Sequence, residues 1–184
     1  LLLVDDGSTD SSSSIAHRYA ATLITLPNAL GPAAARNRGA ERARGDILYF
    51  TDSDVICYPD TLSKIARTFS DDSELEAVIG SYDDDPPATN FFSRYKNLTH
   101  HFVHQQASAS ASTFWTGCGA VRRQVFCELR GFSESYRRPS IEDIEFGYRL
   151  RADGRRILLR KDLMVKHAKV WSFRSMLRSD ILDR

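Results

Sequence analysis

Asp52 and Asp54 stand one residue apart at the end of the apolar run Ile47-Leu48-Tyr49-Phe50, with Thr51 and Ser53 interleaved. An apolar run that stops at paired carboxylates reads as a buried strand whose C-terminal end delivers acid groups to a cleft. Ligands of open α/β sheets bind at that end of the strands. Two hard oxygen ligands at such a place suit Mg²⁺ or Mn²⁺, which take carboxylate, water and substrate phosphate. The chemistry this suggests is a metal held against a diphosphate. A second reading makes the pair a cap for a turn and a following helix.

Other stretches carry chemistry of a matching kind. Leu1 to Val4 reads as a strand that runs into Asp5-Asp6-Gly7-Ser8-Thr9-Asp10. Gly7 permits a tight turn, and Ser8, Thr9 or Asp10 can cap the helix that follows through Arg18 and Ala21. A strand end, a carboxylate and a helix start make a seat for a nucleotide, with Asp5 or Asp6 accepting hydrogen bonds from a base or ribose. Arg36, early in an Ala-rich helix opened by Gly31-Pro32, offers a planar cation to a phosphate. The small residues Gly117, Cys118 and Gly119 beside Trp115 fit a place where backbone or sugar approaches closely. Glu142 and Asp143 open a helix, where acidic residues complement the helix dipole in any case; a functional reading gives Asp143 to a substrate hydroxyl as general base. His167 follows the last short strand, within reach of a metal shell.

The elements that hold these residues are consistent with one α/β domain. The 184 residues are 42% hydrophobic and 27% charged, enough for a sizeable core. Strands are expected near 1–4, 23–26, 47–50, 76–79, 157–159 and 163–165, with Gly80 ending the fourth. Helices are expected from Gly31 to Ala43, from Pro59 to Phe69, from Asn90 to Ala107, after Arg122 and from Ile141 to Gly154. The triplet Asp83-Asp84-Asp85 reads as a loop, and Ala107 to Ser112 as a flexible connection. His100 and His104 share a helix face but have no acidic or thiol partner nearby. Leu1 begins in mid-strand, so a further strand and helix are expected upstream to complete a parallel sheet.

The formal charge of +1 gives no case for nucleic acid as a partner. Cys57, Cys118 and Cys127 have no CxxC spacing, which argues for a reducing compartment and against a disulfide framework or zinc site. No run approaches the ~20 apolar residues of a membrane span. From Val170, the stripe Val170, Phe173, Leu177 and Ile181 with Lys169, Arg174 and Arg178 forms a basic amphipathic helix. Such a helix either lies on an anionic membrane or packs on a core.

The order Val4-Asp5-Asp6-Gly7-Ser8-Thr9-Asp10, then Gly31 with Ala35-Arg36-Asn37-Arg38-Gly39, then Thr51-Asp52-Ser53-Asp54, Gly117-Cys118-Gly119-Ala120 and Glu142-Asp143 resembles a family 2 glycosyltransferase of the GT-A type. The resemblance spans nearly the whole chain. It implies a Rossmann-like α/β fold with a mostly parallel central sheet flanked by helices. It implies a catalytic domain over 1–168, lacking the family's opening strand, and a helix over 169–184 leading out of it. The expected activity is metal-assisted, inverting transfer of a sugar from a nucleotide diphosphate, with UDP the family's common choice, to a saccharide or lipid-linked acceptor in cell-envelope polysaccharide or glycolipid synthesis. By position, Asp5, Asp6, Ser8, Arg36 and Asp52 would contact the nucleotide, and Asp52 and Asp54 would form the DxD pair on Mg²⁺ or Mn²⁺. His167 would be an extra metal or phosphate ligand. Trp115, Gly117, Cys118 and Gly119 would border donor sugar and acceptor, and Asp143 would be the base with Glu142 beside it. The expected location is the cytoplasm or the cytoplasmic face of a membrane, with 169–184 as a peripheral contact. A sugar nucleotidyltransferase, or a nucleotide-binding scaffold without turnover, would use the same strand and carboxylates. The acidic Asp5-Asp6-Gly7-Ser8 turn, in place of a basic glycine-rich loop, speaks against the former.

Overall fold

The computed structural model describes residues 1–19, 22–136 and 141–181. The expected helix end at Ala21, the side chain of Ile181 and residues 182–184 lie outside the described residues. The elements in order are β1 (Leu2–Asp5), α1 (Ser12–Arg18), β2 (Thr22–Thr25), α2 (Pro32–Arg42), β3 (Ile47–Phe50), β4 (Val55–Cys57), α3 (Thr61–Asp71), β5 (Ala77–Tyr82), α4 (Phe91–Gln106), β6 (Gly119–Arg122), α5 (Arg123–Glu128), α6 (Glu142–Ala152), β7 (Ile157–His167) and α7 (Phe173–Ile181). A single 3-10 turn, Thr116–Cys118, leads into β6.

The sheet is mixed. β1 and β2 form a two-stranded parallel ribbon, and the other strands form a five-stranded sheet in the order β3-β6-β5-β7-β4. Within it β5 and β7 run parallel. The pairs β3/β6, β5/β6 and β4/β7 are antiparallel. The expected α/β layering is present, but the expectation of a mostly parallel sheet is corrected to this mixed one. Two strands make it mixed: β6, which sequence reading left inside a strand–turn–helix unit and which inserts antiparallel between β3 and β5, and β4, which pairs antiparallel with β7 at the other edge.

Two further corrections concern β5 and β7. Gly80 does not end β5, which runs on to Tyr82. A side chain at Gly80 would overlap the carbonyl oxygen of Leu163 and the Cys118 sulfur, so glycine is there because β7 and the turn before β6 close on it. The two short strands expected at 157–165 are one 11-residue strand, β7. Its pairing with β5 shifts register between Ile79 and Ser81, the irregularity that lets the charged Arg160-Lys161-Asp162 stretch stay within it. The stretch 107–112 is tied to β7 rather than free: Ala111 N–H donates to Ile157 O at 2.9 Å and Leu159 N–H to Ala109 O at 2.7 Å.

The core lies on both faces of the five-stranded sheet. One cluster joins Leu48, Ile79, Val121 and Leu159 to Phe114, Phe126, Phe132 and Phe146. Phe146 is fully buried, with ring centroids 5.1–5.4 Å from those of Phe114, Phe126 and Phe132. The other cluster packs Ile65 and Phe69 of α3 against Val78, Tyr82, Leu163 and Val165. The three cysteines are free thiols, Cys118 fully buried and Cys57 and Cys127 exposed.

Candidate active site

β3 ends at Phe50, and the chain turns through Thr51-Asp52-Ser53-Asp54 into β4, with Val55 N–H donating to Asp52 O at 3.1 Å. No helix starts here. The next helix, α3, takes Asp60 as its N-terminal flank, so Asp52 and Asp54 cap no helix and their carboxylates are available for other work.

Arg36 on α2 ties this turn to a distant segment. Its Nη2 lies 2.8 Å from Asp52 Oδ1 and its Nη1 2.7 Å from Glu142 Oε1. One guanidinium therefore bridges the Asp52 turn and the first residue of α6, the latter 106 positions from Arg36 in the chain. Burial works to lower the Arg36 pKa, but attraction to Asp52 and Glu142 outweighs it and the net shift is upward. A planar fork can serve two carboxylates at once, which a lysine cannot. The expected diphosphate contact of Arg36 is thus taken by protein carboxylates here, and Glu142, buried at 4% exposure, acts as a fixed partner of Arg36.

Asp143, the next residue, is held from the other side. Its Oδ2 accepts from Thr116 N–H at 3.1 Å and from the Thr116 hydroxyl at 3.2 Å, and its Oδ1 accepts from Ile144 N–H at 2.8 Å. Each carboxylate oxygen offers two lone-pair directions, so capacity for a further proton donor remains. Burial pushes the Asp143 carboxyl up from its ordinary range, Glu142 adds to that, and the Thr116 N–H and Arg36 oppose it. A carboxylate raised in this way is a better base near neutral pH. The register that lets Asp143 meet Thr116 is set one helical turn later: a side chain at Gly147 would overlap the backbone of Thr113 and Phe114, so only glycine allows α6 to lie this close.

The third part of the site comes from β7. His167 Nε2 lies 3.7 Å from Asp54 Oδ2, beyond hydrogen-bond distance but close enough to hold the Asp54 carboxyl below its usual range. His167 is the last residue of β7 rather than just past it, and its ring stacks on Tyr82 with centroids 4.3 Å apart and planes 5° from parallel. Tyr82 in turn meets the edge of Trp115 at 4.7 Å. Burial raises the Tyr82 phenol, and the negative charges of Asp54, Asp52 and Asp143 raise it further.

Among the described residues no set of three or more His, Cys, Asp and Glu side chains is gathered tightly enough to hold a metal ion. The expected trio of Asp52, Asp54 and His167 is therefore split: Asp54 and His167 form a pair, and Asp52 faces Arg36. The Asp54 carboxylate still suits Mn²⁺ or Mg²⁺, which fill their remaining positions with water and substrate phosphate, and the His167 ring nitrogen lies beside it. His100 and His104 form no such site. His104 packs against Trp115 at 5.0 Å, and burial pushes its pKa down to about 4.

The residues expected at the nucleotide and the sugar sit in different surroundings. Asp5 is buried at 4% exposure and accepts from Ser8 N–H at 2.8 Å and from the Ser13 hydroxyl, which holds its carboxyl below the usual range. Asp6 accepts from the backbone N–H groups of Leu30 and Gly31 at 2.7 and 2.8 Å, fastening the loop before α2. Both carboxylates thus order the loops around β1, while Ser8 stays exposed. Gly117, Cys118 and Gly119 are buried, and side chains at the two glycines would strike the Trp115 ring and its carbonyl. The close approach there is made by Trp115 itself. Of those four residues only Trp115 has surface to offer a sugar. Sequence reading missed Thr116, Tyr82 and Asn37. Asn37 exchanges two hydrogen bonds with the Phe132 backbone, both at 2.9 Å, and nothing local in the sequence signals that long-range pairing.

The chain belongs to the glycosyl transferase family 2, whose description residues 1–130 match. It is 30% identical over 160 residues to EpsH of Bacillus subtilis (strain 168), which carries a glycosyltransferase name, covering 83% of this chain and 42% of that protein. It is 26% identical over 188 residues to the validoxylamine A glucosyltransferase of Streptomyces hygroscopicus subsp. jinggangensis (strain 5008), covering 84% and 44%. The chain thus spans less than half the length of these relatives. The fold matches the mannosyltransferase PcManGT of Pyrobaculum calidifontis, solved with GDP-Man and Mn²⁺, with a TM-score of 0.67 and 23% identity over 91% of this chain and 47% of that one. It also matches S. aureus TarS 1-349, solved with UDP-GlcNAc, with a TM-score of 0.68 and 20% identity over 95% and 51%. The fold is GT-A.

Proposed function

We propose that the protein transfers a sugar from a nucleoside diphosphate, a UDP-sugar first among candidates, to an acceptor hydroxyl with inversion at the anomeric carbon. The observation that carries this reading is the Arg36 bridge, which ties the Asp52 turn to the Glu142-Asp143 helix start. Asp143 takes the acceptor proton as the acceptor oxygen bonds to the anomeric carbon. The bond from that carbon to the diphosphate oxygen breaks, and its electron pair leaves with the diphosphate. Asp54 and His167 would hold Mn²⁺ or Mg²⁺, which when bound offsets the charge growing on the diphosphate. Asp52 and Arg36 exchange partners as the nucleotide arrives, Asp52 turning to the ribose and Arg36 to the phosphates. Asp5, Asp6 and Ser8 shape the base pocket at the end of β1, and Trp115 offers a ring face to a sugar. The donors bound in the neighbouring structures, GDP-Man and UDP-GlcNAc, support a nucleotide-sugar donor. The acceptor is a saccharide or a lipid-linked sugar, and the site of action is the cytoplasmic face of the membrane, where cell-envelope polysaccharide or glycolipid is made.

Calorimetric titration of UDP and GDP into the full-length protein, with and without Mn²⁺, tests the donor half. One nucleotide binds in a metal-dependent way, and Asp54→Ala abolishes the metal dependence. Absence of nucleotide binding leaves only a scaffold role. The product's anomeric configuration, read by NMR, tests the rest: retention overturns the single displacement, and pyrophosphate release from a nucleoside triphosphate and a sugar phosphate reassigns the protein to nucleotidyl transfer.

A further inference from the structure

The outer face of α4 is apolar and open. Phe91, Tyr95, Leu98, Phe102 and Val103 are 38–72% exposed, whereas the inner face buries Ser93 and Asn97. The spacing of these residues at three and four positions makes them one stripe. The stripe continues into a second element through ring contacts: Tyr95 stacks on Phe91 at 6.1 Å, Phe91 meets Phe92 at 5.4 Å, and Phe92 meets Phe173 of α7 at 5.6 Å. Trp171 N–H donates to Ser93 Oγ at 2.8 Å and fixes the junction. Phe173 and Leu177 of α7 and Val170 before it are exposed as well. The two helices therefore present a single apolar surface with a groove along Phe91, Arg94, Tyr95, Leu98 and Phe102. A surface of this kind rarely stays bare in a soluble protein.

Its charge says what covers it. Arg94, Lys169, Arg174 and Arg178 stand exposed at its margin, and Lys96 and Lys169 lie over the Trp171 ring at 5.3 and 4.4 Å. The sequence has no Asp or Glu from Pro86 to Gln106 or from Leu163 to Ser179. Of the acids before α4, Asp83 and Asp85 pair with Lys166 at 3.2 and 2.7 Å. A second copy docked on this face would set like charges against each other. An anionic bilayer meets both features: aromatic rings settle at the headgroup level, and each nearby Lys or Arg adds roughly 1 kcal/mol.

We propose that the joint face of α4 and α7 docks the protein on an anionic lipid surface, with α4 lying in the interface rather than crossing it. Among the described residues no helix is long and apolar enough to cross. The inner side of α4, opposite the docking face, rests on the end of β5: His101 Nδ1 lies 2.7 Å from Tyr82 O, and Asn97 donates to Asp83 O at 2.7 Å. On the transferase reading above, this orientation would favour an acceptor carried by a lipid.

The test is co-flotation of the full-length protein with vesicles of phosphatidylcholine alone and of equal parts phosphatidylcholine and phosphatidylglycerol. The protein floats with the anionic vesicles and less so at high salt. Phe91→Ser/Phe102→Ser and Arg174→Glu/Arg178→Glu each lower partitioning roughly tenfold or more while the melting temperature holds. A nitroxide placed at exposed Thr99 gains collisions with oxygen and loses them with an aqueous nickel chelate when vesicles are added. A label that stays fully aqueous overturns the proposal whatever else in the chain binds membranes. Equal partitioning of the variants, or a dimer that forms through this face and ignores lipid, overturns it too. These readouts need no transfer chemistry, so their failure leaves the enzymatic reading standing.

Discussion

On the proposed reading Asp143 is the residue on which the chemistry turns, and its surroundings make its behaviour testable. Because burial raises its pKa in the folded chain, the folded state holds the proton more tightly than the unfolded state does. Native stability contributed by this group is therefore present at low pH and is lost as pH rises through the folded value, while the proposed base function would appear over the same interval. The acidic limb of kcat/KM is expected above the ordinary carboxylate range. Thr116→Val removes the hydroxyl that donates to the Asp143 carboxylate and keeps the backbone N–H, so this limb should move modestly to higher pH; a pH–rate profile that does not move would show that the hydroxyl plays no part. Asp143→Asn should keep nucleotide affinity and lower turnover by roughly 10²–10⁴-fold. Turnover near the parent's in a direct product assay would dismiss Asp143 from the role.

At the scale of elements, the site exists because α6 and α2 are fastened to the sheet at chosen points. Gly147 lets α6 press against residues 113–114 and so sets the height of Asp143 against Thr116. Gly147→Ala should cost about 1–3 kcal/mol in urea unfolding, since a backbone neighbour cannot make room, and should reduce turnover more than donor affinity. α2 contributes through Arg36, whose two arms span Asp52 and Glu142. Arg36→Lys keeps the charge but cannot hold both carboxylates in one plane, so the donor Kd should rise roughly tenfold or more, about 1.4 kcal/mol. Unchanged affinity would show that the bridge is structural only. The terminal helix belongs at this scale as well. Its basic amphipathic pattern was readable from Val170 onward, but its pairing with α4 through Phe92 and Phe173 was not, because ring contacts between separate helices leave no periodic trace.

For the whole molecule, one aromatic cluster unites the segments that bear the site: Phe114 precedes the Thr116 turn, Phe132 receives Asn37 from α2, and Phe146 lies on α6. Phe146→Ala should lower stability by about 3–5 kcal/mol, read from denaturant unfolding, and lower activity with it. The sequence by itself determined the layered α/β class, most helices and strands, the Asp pair after β3 and the acidic start of α6. Those signals are local: periodicity, a glycine turn, and charge at a helix end are written in neighbouring residues. Only the tertiary structure decided that β6 would enter the sheet antiparallel, that Gly80 would admit β7 rather than end β5, and that Glu142 would spend its charge on Arg36. It also decided that Gly117, Cys118 and Gly119 would be buried beneath Trp115 and that Asp54 would meet His167. Each of these depends on which distant backbone or side chain fills the space beside a residue, and packing between segments a hundred positions apart is a property of the folded chain as a whole.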